Sequence, residues 1–111
     1  MSSIVSIDEL AEALTEVYQH CEIGQINDHA AYLLRFKGDN VWHEHVEDEI
    51  YIVLEGEVNI NYHNQPPDAL KKHDTLVVRA YTTHQASSEA GALVLMFKPK
   101  EMFAANDLVR E

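Results

Sequence analysis

Four side chains in this sequence could together hold a metal ion. His43 and His45 are two residues apart, and Glu49 follows with the same parity. On a β-strand such residues point to one face, so two imidazoles and a carboxylate can converge on one point. His84, just after the stretch TLVVRAY, is a fourth candidate. Neutral imidazole and carboxylate together suit first-row divalent ions, such as Zn, Mn, Fe or Ni. The alternative is two solvated histidines beside a surface carboxylate.

The segments that must position these residues are mostly typical of β-strands. Five of them are rich in β-branched and aromatic residues and are separated by turn signals; they span residues 30–37, 49–54, 58–62, 75–81 and 92–98. Short strands with no long helix between them predict a β-barrel or sandwich. Before them, residues 6–19 predict one short amphipathic helix, with Ser6 as N-cap and Glu9 as its capping-box partner.

Composition limits the class of protein. The 111 residues predict a single domain. The net charge of −11 argues against binding to nucleic-acid phosphates or to an anionic membrane surface. No apolar run approaches the roughly 20 residues of a transmembrane helix, and the N-terminus lacks the features of a signal peptide. The single cysteine, Cys21, cannot form an intramolecular disulfide. We therefore expect a cytoplasmic protein that binds neither nucleic acid nor a membrane.

The spacing of the candidate ligands resembles a known pattern. His43-x-His45-(x)3-Glu49-(x)6-Gly56 is similar to the first motif of the cupins, and His84 falls where the second motif places its metal-binding histidine. The resemblance covers about residues 30–98. It is to the small single-domain cupins, in particular those of the mannose-6-phosphate-isomerase-like type. At the other defining positions of the second motif, cupins usually carry Gly, Pro, Gly and Asn, where this sequence has His73, Arg79, Tyr81 and Ser88.

The resemblance implies a mainly β fold, a conical antiparallel jelly-roll barrel with one short N-terminal helix. Residues 1–29 would form a helical segment packed on the barrel, residues 30–98 the barrel and residues 99–111 a C-terminal tail. One divalent ion would lie inside, held by the three histidines and Glu49. Four such ligands leave coordination positions open to water or substrate, as in catalytic rather than structural sites.

Two functions fit such a site. The first is a metal-dependent enzyme, an isomerase, lyase or dioxygenase, acting on a small oxygen-rich molecule such as a sugar derivative or a keto acid. The ion would act as a Lewis acid or bind O2. The alternative is a non-catalytic small-ligand-binding or sensor module that acts through a partner protein. The fold does not decide between them.

Three further residues are candidates for contact with the substrate. Tyr51 shares the parity of Glu49, so it can line the cavity or simply pack in the core. Tyr81 replaces a glycine of the family near the metal, where its phenol could donate a proton. Arg79 could attract a carboxylate or phosphate. The alternative is a surface arginine beside a tyrosine that only fills space. The cations we expect near the site are Arg35, Lys37, Lys71, Lys72 and Arg79.

The stretch Ile50–Leu54 is apolar at every position, which predicts a strand buried on both faces. One face would fill the barrel. The other needs a cover, which could be the N-terminal helix or a second subunit. We expect a homodimer.

Overall fold

The computed structural model describes residues 4–100, Met102 and the backbone of residues 108–109. Within this part of the chain it contains one helix and nine strands. They are α1 (Ile7–Ala13), β1 (Cys21–Ile26), β2 (His29–Asp39), β3 (His43–Glu44), β4 (Glu49–Gly56), β5 (Val58–Tyr62), β6 (Asp68–Leu70), β7 (Thr75–Val78), β8 (His84–Pro99) and β9 (Leu108–Val109). This helix is not long and apolar enough to cross a membrane.

The longest strand, β8, organises the sheet. Its first half pairs with β5, with β3 at His84 and with the end of β2, and its second half pairs with the rest of β2 and with β4, all antiparallel. The two halves are separated near Gly91, which has a φ of +105°, and the pairings with β2 and β4 shift register close to this point. A bulge bends a strand and increases its twist, so one chain segment can serve both sides of a barrel. The predicted antiparallel jelly-roll barrel with one short helix is confirmed.

Side-chain alternation divides the apolar residues into two layers. The barrel interior is filled by residues from six strands: Ala30, Tyr32, Leu34, Phe36, Tyr51, Val53, Val58, Ile60, Leu70, Val78, Ala86, Ala92, Val94 and Met96. A smaller cluster lies outside, where Ala11 of α1 packs with Leu33 and Leu93, and Leu54 joins them partly buried. The helix therefore covers one part of the outer face of the sheet, as its apolar spacing predicts.

The helix is shorter than predicted. Ser6 is the N-cap, and its hydroxyl accepts a hydrogen bond from the Glu9 amide at 3.2 Å. The helix ends at Ala13 rather than at residue 19. Beyond it, Tyr18 takes a φ of +60°, packs its ring 4.8 Å from that of Phe36, and donates a hydrogen bond from its hydroxyl to the Gly38 carbonyl at 2.6 Å. Packing against the barrel outweighs the weak helical preference of this segment.

Strand β1 was not predicted. It pairs with β2, but most of its side chains are exposed. An edge strand with one solvated face and little buried surface lacks the apolar alternation that marks a strand in sequence. The sheet consequently begins at Cys21, eight residues before β2.

Candidate metal centre

Three strands place the four candidate ligands. His43 lies on β3 and His45 directly after it, while Glu49 and His84 are the first residues of β4 and β8. His43 and His84 are backbone partners across the β3–β8 pair. All four side chains are buried. Each offers one possible ligand atom, an imidazole nitrogen or a carboxylate oxygen, and these four atoms lie within 4.8 Å of one another. The structure thus brings together the four residues that the motif spacing predicts.

Backbone carbonyls orient two of the imidazoles. Nδ1 of His43 lies 2.8 Å from the Val41 carbonyl oxygen, and Nδ1 of His84 lies 2.7 Å from that of Thr82. A carbonyl oxygen only accepts hydrogen bonds, so Nδ1 donates in both rings. Each Nε2 then keeps its lone pair, which is the form that binds a metal.

Glu49 is the anionic member of the cluster. Among the described residues, neither carboxylate oxygen has a hydrogen-bond partner of good geometry. The nearest nitrogens are Nε2 of His84 at 3.4 Å and Nδ1 of His45 at 3.5 Å, both from Oε1. Burial raises the pKa of Glu49, but the proximity of His84, His45 and Lys98 outweighs it and lowers the pKa to about 2. A buried carboxylate without hydrogen bonds is costly unless an ion compensates it.

The donor set fits a divalent ion. Burial and the neighbouring His84 both lower the pKa of His43, which favours the neutral imidazole that ligation requires. Three imidazoles and one carboxylate, all buried and convergent, match the ligands of first-row divalent ions. This set does not choose among those ions.

Comparison with known proteins supports the same family. The sequence matches no protein-family model. It is 31% identical over 102 residues to the uncharacterized protein YdbB of Bacillus subtilis (strain 168), covering 91% of this chain and 90% of that protein. A cupin-2 domain protein of Shewanella frigidimarina NCIMB 400 superimposes with a TM-score of 0.84 at 22% identity, covering 88% of this chain and 96% of that one. The chain therefore belongs to the same family as YdbB and has the fold of a small cupin domain.

A second solved structure with this fold contains a metal ion. Hydroquinone 1,2-dioxygenase PnpCD, in complex with Cd2+ and 4-hydroxybenzonitrile, superimposes with a TM-score of 0.76 at 18% identity, covering 88% of this chain and 73% of that one. At this identity the likeness concerns the fold, and fold does not specify a reaction. The mannose-6-phosphate-isomerase-like subtype therefore stays a prediction.

The three predicted substrate-contacting residues occupy different places in this cupin. Tyr51 is buried, and its hydroxyl lies 3.2 Å from Nε2 of His84. Tyr81 is 66% exposed, and its backbone N–H donates to the His45 carbonyl at 2.7 Å. Arg79 is exposed and forms an ion pair with Asp48 at 3.1 Å. Only Tyr51 lies within the buried cluster. The roles of Tyr81 and Arg79 toward a ligand stay predictions.

In the second motif, the two residues that stand in place of glycine keep a backbone conformation that glycine favours. His73 and Tyr81 have φ values of +73° and +63°, at the two positions where cupins usually carry Gly. Both residues adopt the left-handed conformation that glycine favours. The turn before His84 is also held by Asp48, which accepts hydrogen bonds from the Ala80 amide at 2.8 Å and from Arg79.

Lys98 is a buried charged residue that acts on Glu49 and was not predicted. Its side chain is 1% exposed, and its Nζ lies 5.8 Å from the centroid of the Tyr32 ring. Ile50 pairs with Phe97, and Glu49 and Lys98 are the residues next to this pair on β4 and β8. The signal was present in ALVLMFK, because Val94, Met96 and Lys98 alternate on one face.

Proposed function

We propose that this cupin is a metal-dependent enzyme that acts on a small oxygen-rich molecule, a sugar derivative or a keto acid. The ion would be held by His43, His45, Glu49 and His84. The observation that carries the proposal is the buried carboxylate of Glu49, which faces three imidazoles and has no hydrogen-bond partner of good geometry in the described part of the chain. When bound, a divalent ion with open coordination positions supplies Lewis acidity to an oxygen of the ligand. Isomerase, lyase and dioxygenase chemistries all suit such a site.

Tyr51 is the residue we propose to orient the ligand. Its hydroxyl lies 3.2 Å from Nε2 of His84, next to the position the ligand would take. Its ring packs edge-on against Phe36, with centroids 6.0 Å apart, so the phenol is held in place by the apolar core. The phenol can accept or donate a hydrogen bond to an oxygen of the ligand, and it does so in surroundings that exclude water.

Tyr81 and Arg79 are proposed in supporting roles. Both lie on the turn that precedes His84, and the Tyr81 amide ties this turn to His45. The phenol of Tyr81 would donate a proton to a ligand that enters from this side. The guanidinium of Arg79 would bind a carboxylate or phosphate while Asp48 accepts a hydrogen bond from its Nη1.

We also propose a homodimer formed through the outer face of β4, β7 and β8. Ile50 and Ile52 point outward there and are only partly buried, while Val77 is 41% and Phe97 36% exposed. The helix covers the neighbouring Leu54 but belongs to a separate cluster that includes none of these four residues. A second copy of the chain would bury this apolar surface.

The test of the enzyme proposal is metal content and turnover in wild type and in His45→Ala. The matched control is His29→Ala, an exposed histidine outside the cluster. We expect near one metal per chain by elemental mass spectrometry in wild type and control, and loss of the metal in His45→Ala with the circular dichroism spectrum unchanged. We also expect the wild type to turn over a member of a panel of sugars and keto acids, and we expect His45→Ala to abolish this turnover.

Two outcomes contradict it. Failure of the wild type to hold a metal after reloading with Zn, Mn, Fe or Ni contradicts the metal site. A metal-loaded protein that binds members of the panel without turning any over contradicts the enzyme and leaves the small-ligand-binding or sensor module.

A further inference from the structure

Lys98 places a positive charge inside the barrel beside the metal cluster. Its side chain is 1% exposed, which is rare for lysine because burial of a charge costs several kcal/mol unless a partner compensates it. Lys98 follows Phe97 on β8, which pairs with Ile50 next to Glu49 on β4, and the charge of Lys98 contributes to the low pKa of the Glu49 carboxyl. The face of the Tyr32 ring lies beneath the ammonium, with Nζ 5.8 Å from the centroid.

Charge balance changes when the site is loaded. Glu49 and Lys98 place one negative and one positive charge in this buried space. A divalent ion on the same carboxylate adds two positive charges to it. This addition favours a ligand that brings negative charge, and it disfavours a neutral ligand of the same shape.

We infer that Lys98 is an anion-binding residue of the metal site, and that the ligand of this cupin is a small carboxylate with a neighbouring oxygen, such as a 2-oxo acid. This inference rests on the proposed metal-dependent function and narrows its substrate class, because it selects keto acids over neutral sugars. One oxygen of the ligand would take an open position at the ion, and the carboxylate would pair with the ammonium. The cation–π contact with Tyr32 and the barrel wall hold the lysine in position for this pairing.

The test compares two probes of nearly equal shape and different charge, pyruvate and its neutral amide, pyruvamide. Their affinities for the metal-loaded protein are measured by titration calorimetry in wild type, in Lys98→Met and in the control Lys72→Met. Methionine keeps the length of the side chain without the charge, and buried ion pairs often tolerate apolar replacement. Lys72 is exposed.

We expect wild type and Lys72→Met to bind pyruvate more tightly than pyruvamide. In Lys98→Met the affinity for pyruvate falls by about tenfold or more, which is the usual effect of losing a hydrogen bond to a charged group. Its affinity for pyruvamide stays within about twofold of wild type, because neutral ligands gain little from the ammonium. The affinity for the metal, measured by competition with a chelator, stays equal or rises, since a repelling cation is gone.

The contradicting outcomes separate this inference from the function on which it rests. A wild-type protein that binds no metal overturns both. A metal-loaded wild type that binds pyruvamide as tightly as pyruvate, or binds neither, overturns the inference alone, and this comparison needs no variant. Equal pyruvate affinity in wild type and Lys98→Met also overturns it.

Discussion

The two histidines with carbonyl partners show how a single residue is prepared for ligation. In His43 and His84 alike, Nδ1 donates to the carbonyl two residues earlier in the chain. The carbonyl that accepts the hydrogen bond therefore comes from the chain segment directly before each histidine, and not from a distant element. Such a bond selects the tautomer and the ring orientation before any ion arrives, which strengthens metal binding.

Burial of His43 makes the metal-free fold sensitive to acid. Burial and the nearby His84 lower the pKa of His43 below its usual 6.5. As pH falls through 6.5, the unfolded chain takes up a proton at this residue while the folded chain does not. The free energy of unfolding should therefore drop between pH 7.5 and 5.5, by at most about 1.4 kcal/mol per pH unit from this group. Urea denaturation of chelator-treated protein at several pH values measures this slope.

The matching variants are His43→Gln and the exposed His29→Gln. His43→Gln should flatten the slope, because its side chain does not titrate. His29→Gln should show the same slope of unfolding free energy against pH as the wild type. An equal slope in wild type and His43→Gln would show that His43 titrates alike in the folded and unfolded chains.

Tyr51 gives a second prediction for a single residue. Tyr51→Phe removes only the hydroxyl that lies 3.2 Å from Nε2 of His84, so the metal should be retained. The affinity for the ligand should fall by about fivefold to tenfold, the effect of one lost hydrogen bond of about 1 kcal/mol. Calorimetric titration of the metal-loaded protein with a bound member of the panel measures the change.

Two exposed residues serve as the comparison for Tyr51. Tyr81→Phe and Arg79→Ala test whether the turn before His84 also contacts the ligand. If both leave binding and turnover unchanged, the proposed roles of Tyr81 and Arg79 fail. If Tyr51→Phe loses the metal instead of the ligand, its hydroxyl supports the cluster rather than the ligand.

Among the strands, the contact between the end of β4 and the bend of β8 is tight. Gly56 ends β4 with a φ of +81°, and a Cβ there would stand too close to the Gly91 carbonyl oxygen and 2.9 Å from the Ala92 Cα. Both neighbouring atoms belong to backbone, so neither can rotate away. Close approach of these strands is what lets β8 turn from one side of the barrel to the other.

Three glycine-to-alanine variants separate the causes of this requirement. Gly56→Ala should lower the free energy of unfolding by about 2 kcal/mol or more, through a left-handed backbone together with a backbone clash. Gly38→Ala, with a φ of +71° and open space, should cost about 1 kcal/mol. Gly24→Ala has neither problem and should leave stability unchanged or slightly higher. Urea denaturation gives the order, and equal losses in the three variants would refute the explanation.

The turn before His84 shows that a motif can change its residues and keep its shape. His73 and Tyr81 hold φ values of +73° and +63° without being glycine. Left-handed backbone costs roughly 1–2 kcal/mol for such residues, so surrounding contacts must hold it. The Tyr81 amide donates to the His45 carbonyl and the His73 amide to the Val53 carbonyl, at 2.7 and 2.6 Å. These bonds connect the second motif to the first.

At the scale of the whole molecule, net charge and exposed apolar surface have opposite effects on self-association. The net charge of −11 disfavours close association unless apolar contact outweighs the repulsion. The outer face of β4, β7 and β8 offers such a contact, since Val77 and Phe97 are more than a third exposed beside Ile50 and Ile52.

The homodimer proposal predicts a mass of twice 12.6 kDa by light scattering at micromolar concentration. Val77→Lys places a charge in the apolar face and should shift the protein to the monomer. Val17→Lys is the control, because Val17 is 49% exposed in another part of the surface. A monomeric wild type, or a dimer that survives Val77→Lys and dissociates in Val17→Lys, contradicts this interface.

Local pattern was enough for most of the barrel strands. Alternation and turn signals predicted strands that overlap β2, β4, β5, β7 and β8, because half-buried strands impose a period of two on their side chains. The strand predicted over residues 75–81 ends earlier, at Val78. The spacing of His43, His45 and Glu49 is local, whereas His84 lies 35 positions beyond Glu49 and was joined to them by the resemblance to the cupins. The structure brings ligand atoms of these four candidates within 4.8 Å of one another.

Long-range pairing decided the rest. Residues 14–19 leave the helix because Tyr18 packs on Phe36, and β1 forms because β2 offers it an edge. Lys98 acts on the pKa of Glu49, 49 positions away in the chain, because β8 pairs with β4 through Phe97 and Ile50. No local period carries such a pairing, since the partner strand and its register are set by the closing of the barrel.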